Sequence, residues 1–203
     1  MLNVVLAGPE IPANTGNIGR TCVVAGARLH LVEPIGFSLD HRMLHRAGLG
    51  YWENLDVTVY ASWDDFLARC GLAPDGNDPR LHLLTKKARR TYAESTYRDG
   101  DYLVFGSESS GIPEDVLALA PARCERIPML ADRTSLANRD AWEARDRTLH
   151  PDGDEDASPL LRQDICGNFV DVRDYRISAL NLSNAAAIVL YEALRQTGFP
   201  GME

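Results

Sequence analysis

The segment LVFGSESSGIPEDVL, residues 103–117, contains the most informative change of pattern in this chain. Its apolar start ends at Gly106, and a small polar loop leads to Gly111 and a helix that starts near Pro113. Proline is favoured in the first turn of a helix, so the segment predicts a strand, a loop and a helix. The glycines would let a ligand approach the main chain closely, and Glu108 could accept hydrogen bonds there. An ordinary strand-to-helix turn with a solvated glutamate explains the pattern as well.

Short apolar runs bounded by glycine or proline recur on both sides of this segment, and each predicts a strand. The runs are residues 2–7, 28–34, 57–61, 81–85, 102–106 and 125–129. Helical patterns lie between them, near residues 15–26, 40–48, 62–70 and 113–120, and a strong one spans 181–196. Because strands alternate with helices, the sequence predicts an α/β fold with a parallel sheet flanked by helices. Ligands of such sheets bind at the carboxyl ends of the strands.

Two of the predicted helices start at residues suited to capping. Asn14 or Thr15 is expected to cap the first helix, which Gly26 would end. Ser62, with Asp65 three residues later, is close to a capping box. Side-chain oxygens at such positions accept hydrogen bonds from backbone amides that have no partner within the helix.

Composition and charge limit the possible functions. The chain has 203 residues, enough for one domain with a real core, and its 45% hydrophobic residues are ordinary for a globular protein. No apolar run has membrane-spanning length and the start lacks signal-peptide features, so we expect a cytoplasmic protein with no membrane partner. The four cysteines lack zinc-site spacing, so no metal is expected. A net charge of −8 argues against nucleic-acid binding, although a local basic patch can suffice.

Two further segments place polar side chains where a ligand could meet them. PEIPANTGNIGR, residues 9–20, follows the first strand and ends at Arg20. NLSNAAAIVLYEALRQ, residues 181–196, crowds Asn181 and Ser183 at a helix start, where their side chains can both cap the helix and face a ligand. Plainer explanations are an exposed surface arginine in the first segment and a well-capped core helix in the second.

Other chemistries find no support in the sequence. No Gly-Lys-Ser/Thr of a phosphate-binding loop is present, and the G-x-G-x-x-G spacing of a dinucleotide site fails. Ser110 does not stand in a G-x-S-x-G elbow, and the five histidines have no triad context. A nucleophilic hydrolase is therefore not expected.

Taken together, the three segments resemble the SPOUT superfamily of RNA methyltransferases, and most closely the tRNA (cytidine/uridine-34)-2′-O-methyltransferase family. The resembling motifs are PEIPxNTGNIxR, YLVFGxExxGIP and LNLSNAxAIVLYEALRQ, and they occur in the family's order and spacing. Intervening matches are LHLVEPIGF (29–37), LHRAGLGYWE (44–53), LLTKKA (83–88) and RIPM (126–129). The resemblance covers about residues 1–136 and 181–200.

The resemblance implies a fold and an activity. The fold would carry a deep trefoil knot near the C-terminus, whose loops bind S-adenosylmethionine in a bent conformation. The active unit would be a homodimer that methylates the ribose of the wobble nucleotide of tRNA. The alternatives are a SPOUT 2′-O-methyltransferase for another tRNA or rRNA site, or a non-catalytic RNA-binding relative.

Matching the family motifs also assigns residues. Catalysis is expected of Arg20 and Tyr191. The cofactor pocket is expected to include Leu84, Gly106, Ile127, a serine before the last helix, and Asn181 and Ser183 at its start. RNA binding needs a basic surface, for which the candidates are Arg42, Arg46, Lys86 and Lys87; ordinary solvated surface charge is the plainer explanation.

Residues 137–180 depart from the family pattern. They hold ten acidic and six basic residues, a net of −4 and half of the chain's −8. Joining Leu136 to Asn181 restores the family pattern, so we expect a single domain over residues 1–203 with an acidic insertion at about 137–180. Ser135 then takes the serine position, with Ser178 as the alternative, and a threonine precedes Ser135 where the family has arginine.

Three interpretations of the insertion remain open. It could bulge from the knot without affecting catalysis. It could reshape the pocket and change the affinity or the substrate. It could also prevent cofactor binding and leave an RNA-binding protein without activity. Its acidic character makes a direct contact with RNA unfavourable in each case.

Overall fold

A computed structural model of the chain describes residues 1–38, 50–129 and 179–203. The strands in these ranges are β1 (Asn3–Ala7), β2 (Arg28–Val32), β3 (Val57–Tyr60), β4 (Leu81–Leu84), β5 (Tyr102–Phe105) and β6 (Cys124–Glu125). The α-helices are α1 (Pro12–Ala25), α2 (Trp63–Arg69), α3 (Glu114–Leu119) and α4 (Leu182–Thr197). Short 3₁₀ turns occupy Gly50–Asn54, Tyr92–Glu94 and Pro121–Arg123. The helix predicted at 40–48 lies outside the described residues.

All strand pairs of this sheet are parallel, and the strand order is β3-β2-β1-β5-β4-β6. The predicted parallel sheet flanked by helices is therefore confirmed. Val4 of β1 lies between Leu29 of β2 and Leu103 of β5. The chain runs outward from β1 through β2 to β3 and then resumes on the other side of β1. The carboxyl ends of β1 and β5 thus form the topological switch at which such sheets bind ligands.

Helices cover both faces of the sheet. Successive side chains of a strand point to opposite faces, so Leu6 belongs to one core and Val5 to the other. The first core is closed by α1 and α4, with Ile18 and Val189 fully buried in it, and the second by α2 and α3. Burial on both faces explains why the strands read as continuous apolar runs.

The predicted strand at 125–129 is wrong in extent. β6 pairs with β4 only through Cys124 and Glu125. Arg126 donates its backbone N–H to the carbonyl of Arg90 at 2.9 Å and accepts from the amide of Tyr92 at 2.9 Å. The chain therefore leaves β4 after two residues, because the segment at 90–92 takes over its hydrogen bonds.

One of the two capping predictions is confirmed and the other is wrong. Ser62 Oγ accepts a hydrogen bond from the amide of Asp65 at 3.1 Å and caps α2. Helix α1 begins earlier than predicted, at Pro12, and neither Asn14 nor Thr15 caps it. Proline at the first helical position fixes φ and lacks an N–H that would need a partner, so the helix starts there. Gly26 ends α1 with φ 61°, as predicted.

Helix α4 is confirmed almost residue for residue. Asn181 Oδ1 caps it by accepting from the amide of Ser183 at 2.9 Å, and Gly198 ends it with φ 79°. Among the helices of the described ranges, none is long and apolar enough to cross a bilayer. The predicted knot depends on the path of residues 130–178, which lie outside the described residues. The two candidate serines, Ser135 and Ser178, belong to that range.

Candidate active site

Three of the residues predicted to form the cofactor pocket lie side by side at the carboxyl edge of the sheet. Leu84 ends β4, Gly106 follows β5, and Ile127 comes two residues after β6. β4 lies between β5 and β6, so these three positions are neighbours. Leu84 and Ile127 are half-buried and Gly106 is buried. The sheet order therefore brings together residues that are up to 43 positions apart in sequence.

The missing side chain of Gly106 makes room for the protein's own backbone. A Cβ atom there would lie 1.9 Å from the carbonyl carbon of Gly111 and 2.0 Å from the amide nitrogen of Ile112. The loop folds back so tightly because Ser107 and Gly111 exchange two backbone hydrogen bonds, of 3.2 and 3.0 Å. The space left by the missing side chain is therefore filled by the protein's own backbone. A cofactor that binds there would contact the backbone of Gly106.

Glu108 fastens the loop after β5 to the loop after β1. Its carboxylate accepts from the backbone amides of Glu10 at 2.9 Å and Ile11 at 3.3 Å, and from Asn14 Nδ2 at 2.8 Å. In the opposite direction, the carboxylate of Glu10 accepts hydrogen bonds from the amide and the hydroxyl of Ser109, at 3.0 and 2.6 Å. The prediction that Glu108 accepts hydrogen bonds is confirmed, and its partners are within the protein.

Asn14 connects all three sequence motifs. It donates to Glu108 through Nδ2, and its Oδ1 accepts from Asn181 Nδ2 at 2.9 Å. Asn14 is only 5% exposed, so both hydrogen bonds satisfy an otherwise buried amide. Sequence reasoning missed this role because a Ser, Thr, Asn or Asp before a helix is first interpreted as a cap. The start of α4 is thereby held beside the loops after β1 and β5.

This edge offers both apolar and polar surface to a ligand. The half-buried side chains of Leu84 and Ile127 suit a flat heterocycle, while main-chain groups at the strand ends can give it hydrogen bonds. Ser183, in the first turn of α4, lies where the helix dipole favours a carboxylate. Its hydroxyl donates to Asn181 Oδ1 at 2.6 Å.

Arg20 and Tyr191, the predicted catalytic residues, lie on the outward faces of α1 and α4. Arg20 is the ninth residue of α1 and Tyr191 the tenth of α4, and both are exposed. The two helices pack together and are joined near their starts through Asn14 and Asn181. Arg20 lies about 9 Å along the axis from Asn14. The structure therefore separates the predicted catalytic pair from the strand ends.

A continuous exposed stripe runs along both helices at these positions. We call it the outer helical face; it comprises Ala13, Asn17, Arg20 and Val24 of α1 with Asn184, Ile188, Tyr191 and Arg195 of α4. The spacing of three and four residues places each set on one side of its helix. Val24 is 62% exposed and Ile188 38%, so the face presents large apolar side chains to solvent.

The predicted RNA-binding lysines follow β4 at the same edge of the sheet. Lys86 and Lys87 are half-buried, and the ammonium of Lys87 forms an ion pair with the exposed carboxylate of Glu114 at the start of α3. The other two candidates, Arg42 and Arg46, lie outside the described residues.

Two cavities of the described residues do not include the predicted cofactor residues. The smaller, about 240 Å³, lies beside Glu10 and is floored by Trp63 and Ile112. The larger, about 420 Å³, opens at the amino-terminal ends of β4 and β5, on the opposite edge of the sheet. Location at the strand carboxyl ends is the better guide to function than cavity size, because backbone groups and helix starts converge there.

In the described ranges we find neither a metal site nor a reactive thiol at the two buried cysteines. No group of three or more His, Cys, Asp or Glu side chains is disposed there to hold a metal ion. Burial raises the pKa of the Cys22 and Cys124 thiols to about 12, so both stay protonated at neutral pH.

Comparison with known proteins agrees with this geometry. Residues 1–138 match the model of the family described as the SpoU rRNA Methylase family. The chain is 38% identical over 202 residues to the tRNA (cytidine(34)-2′-O)-methyltransferase of Escherichia coli K12, covering 99% of this chain and 97% of that protein.

Solved structures of RNA methyltransferases are also similar to this chain. A candidate RNA methyltransferase from Bacillus anthracis superposes with a TM-score of 0.70 at 35% identity, covering 100% of this chain and 98% of the other. A structure concerned with 2-OH methylation of C/U34 on tRNA superposes with a TM-score of 0.65 at 33% identity, covering 97% and 95%. Both similarities extend over nearly the whole of each chain.

Proposed function

The chain belongs to the SpoU methylase family, and from this we propose that it transfers a methyl group from S-adenosylmethionine to the ribose 2′-hydroxyl of nucleotide 34 in tRNA. One observation carries the proposal: the three motifs shared with the wobble-nucleotide methyltransferases converge through the hydrogen bonds of Asn14 at the carboxyl edge of the sheet. The Escherichia coli relative named for this activity aligns over 99% of the chain.

The described residues fit the cofactor. Leu84 and Ile127 would hold the adenine between apolar surfaces, with hydrogen bonds from main-chain groups near Gly106. Asn181 and Ser183 would lie near the methionine end at the start of α4, and we propose Ser135 for the remaining wall. When bound, S-adenosylmethionine supplies an electrophilic methyl group on a sulfonium, so no metal is required.

The chain's own contribution is to position and to stabilise charge. The ribose 2′ oxygen must bond to the methyl carbon in line with the breaking carbon–sulfur bond, and holding reactants in that geometry lowers the barrier substantially. A guanidinium offers only hydrogen-bond donors. The hydroxyl proton must therefore pass to a base other than Arg20, such as water. We assign Arg20 to binding an RNA phosphate or the developing alkoxide, with Tyr191 on the neighbouring helix.

The position of these two residues favours a homodimer joined through the outer helical face. Arg20 and Tyr191 face away from the strand ends of their own chain, so a second copy would place them at a pocket across the interface. The exposed Val24 and Ile188 would supply the apolar centre that such an interface requires. Substituting Ile188 by Asp should give a monomer in light scattering and abolish methylation. A dimer that survives this change and V24D would contradict the assignment.

The tRNA would meet Lys86 and Lys87 beside the pocket, and we propose Arg42 and Arg46 as further RNA contacts. Phosphate contacts release counterions, so affinity should fall with salt and each removed contact should reduce the salt slope by about 1. Lys86→Ala should weaken binding of different tRNAs equally. A loss confined to one tRNA sequence would point to base recognition instead.

We further propose that residues 137–180 are an insertion in a single domain. The family model ends its match at residue 138, which supports this boundary. Deleting 137–180 should leave the affinity for S-adenosylmethionine unchanged if the insertion bulges harmlessly. A changed affinity would instead show that it shapes the pocket.

Methylation of a defined nucleotide tests the proposed function. Purified protein, tRNA and isotopically labelled S-adenosylmethionine should yield one methyl group per tRNA, located at nucleotide 34 by mass spectrometry. A tRNA with a 2′-deoxyribose at position 34 is the matched control and should accept none. Arg20→Ala should lower turnover by at least about 100-fold while cofactor affinity is kept.

The family description names rRNA, so ribosomal RNA is the second candidate substrate. Total RNA from a strain that lacks this protein can be incubated with the purified protein and labelled S-adenosylmethionine. The RNA that receives the label distinguishes tRNA from rRNA. Label confined to nucleotide 34 of tRNA supports the proposal, and label in rRNA alone replaces it.

A further inference from the structure

Three ionisable side chains meet in the core beneath α4, away from the residues already described. His82 of β4 lies between Asp101, which precedes β5, and Glu125 of β6; they are 6%, 5% and 0% exposed. His82 Nε2 is 3.1 Å from Asp101 Oδ2, and Nδ1 is 3.4 Å from Glu125 Oε2. Glu125 also accepts from the hydroxyls of Ser95 and, at 2.5 Å, Tyr97. We call His82, Asp101 and Glu125 the buried triad.

The geometry of the triad favours a charged imidazole. Both ring nitrogens of His82 face carboxylate oxygens, and a neutral imidazole has only one N–H to donate. Glu125 also accepts from two hydroxyl donors, and Nη2 of Arg90 lies 3.7 Å from its Oε2. Asp101 accepts a further hydrogen bond from the amide of Arg98 at 2.7 Å. Loss of the imidazole proton would leave one imidazole N–H between two buried carboxylates, which is costly.

The triad also determines where the pocket wall lies. Glu125 is the register partner of Leu84 and comes two residues before Ile127. β6 contains only two residues, so few backbone hydrogen bonds hold it to β4. The buried carboxylate of Glu125, bound to His82 of that same β4, is therefore a side-chain anchor of this edge.

We propose that His82 and Glu125 are positioning residues that hold Leu84 and Ile127 at the correct spacing for the cofactor, and that they do so only while His82 carries its proton. This inference rests on the proposed function, because it concerns the same pocket. It adds a dependence of cofactor affinity on a proton bound beneath the pocket.

The surroundings of His82 support the charged state. Burial lowers the pKa of His82, but its hydrogen bonds to Asp101 and Glu125 and their negative charges more than compensate, so the net shift is upward. The ring of Tyr97 lies 4.6 Å from that of His82, and burial raises the tyrosine's pKa far above neutrality. The other charged groups around His82, from the cavity beside it and from α4, are Arg80, Arg90, Glu94, Arg98, Asp99, Arg123 and Glu192.

The sign of the pH effect follows from the raised pKa. A histidine whose folded pKa exceeds its unfolded value stabilises the fold fully at low pH and loses that effect as pH rises through the folded pKa. Cofactor affinity should accordingly be highest near neutral pH and fall on the alkaline side. Linkage makes the effect reciprocal, so bound cofactor must raise the pKa of His82, and its acid dissociation constant must fall by the same factor as the affinity changes.

Calorimetry with S-adenosylhomocysteine, the demethylated product, tests the proposal from about pH 6 to about pH 10. The dissociation constant of the unmodified protein should increase on the order of 5- to 150-fold across this range. His82→Gln should bind weakly throughout and lack this increase. His30→Gln is the matched control: His30 is also buried but is bonded to Tyr60 and Asn3 rather than to carboxylates, so its variant should behave like the unmodified protein. The ligand's own amino group titrates in all three proteins and cancels in the comparison.

NMR of the histidine rings, with and without ligand, keeps the test decisive if His82→Gln does not fold. A charged His82 at neutral pH, with its pKa raised further by the ligand, supports the proposal. A neutral His82, or an affinity that does not change with pH while the free energy of unfolding does, overturns it and leaves a purely structural role. Absence of binding at every pH would refute the proposed function instead.

Discussion

Replacing Gly106 by alanine should destabilise the protein severely. The added Cβ would lie 1.9, 2.0 and 2.3 Å from three backbone atoms of Gly111 and Ile112, where ordinary contact begins near 3.4 Å. The loop must retreat by about 1.5 Å, which breaks the two hydrogen bonds between Ser107 and Gly111. Each lost bond costs about 0.5–1.5 kcal/mol and the overpacking about 1–3 kcal/mol, so we expect a loss of about 2–6 kcal/mol in the free energy of unfolding.

Urea unfolding of the variant, followed by circular dichroism, measures this loss. Gly19→Ala is the matched control, because its Cβ would meet only the side chains of Leu55 and Trp52, both at 3.1 Å, and those can shift. Alanine also favours the helix by about 1 kcal/mol there, so the control should change stability little. If Gly106→Ala were as stable as Gly19→Ala, the loop would have room for a side chain and the close approach argued here would be wrong.

Three further substitutions address single interactions. Glu108→Gln should lower the free energy of unfolding by about 1–3 kcal/mol, because the NH₂ group of the glutamine would face N–H donors, including that of Asn14. An unchanged midpoint of urea unfolding would contradict this. Ser62→Ala should cost about 1 kcal/mol by removing the cap of α2, with Ser62→Gly expected to cost only a few tenths. Burial, then the charge of Arg28, lowers the pKa of His30 to about 4, so stability should fall as pH drops from about 6.5 towards 4. In His30→Gln, the fall in the free energy of unfolding over this pH range should be smaller by about 3 kcal/mol. If the fall persists in the variant, other groups cause it.

The sheet was predictable because parallel strands buried on both faces carry their own signal. Runs such as LNVVLA and YLVFG are mostly apolar and stop at or just before a glycine, and the structure places β1 and β5 within them. The strand order was not predictable from these runs, because nothing in an apolar sequence specifies its neighbour. The family resemblance implied the fold class, and the strand order itself comes from the structure.

The site was predicted in its positions but not in its internal contacts. Leu84, Gly106 and Ile127 follow from their motifs, and the structure makes them neighbours. Asn14 was interpreted as a cap, and its two bonds to Glu108 and Asn181 span 94 and 167 residues. Interactions over such separations leave no local periodicity, so only the folded chain can show them.

The buried triad was missed for the same reason. His82 was set aside because no nucleophile accompanies it, and its two carboxylates come from segments 19 and 43 residues away. A histidine within an apolar strand gives no sign of its partners until β5, β4 and β6 are aligned. An isolated charge in a buried strand is thus a reason to look for a partner in the neighbouring strands.

The position of α4 explains how a long departure from the family pattern can be compatible with an intact pocket. The helix is fixed at its start by Asn181 on Asn14 and near its end by Gln196, which accepts from the amide of Tyr97 at 2.9 Å and donates to the carbonyl of Ser95 at 3.1 Å. None of these contacts involves residues 137–180. Lengthening a connection tenfold adds only about 2 kcal/mol of closure entropy, which contacts at both ends of a buried helix can offset. The position of α4 is therefore set by what the helix packs against, and not by the length of chain that leads to it.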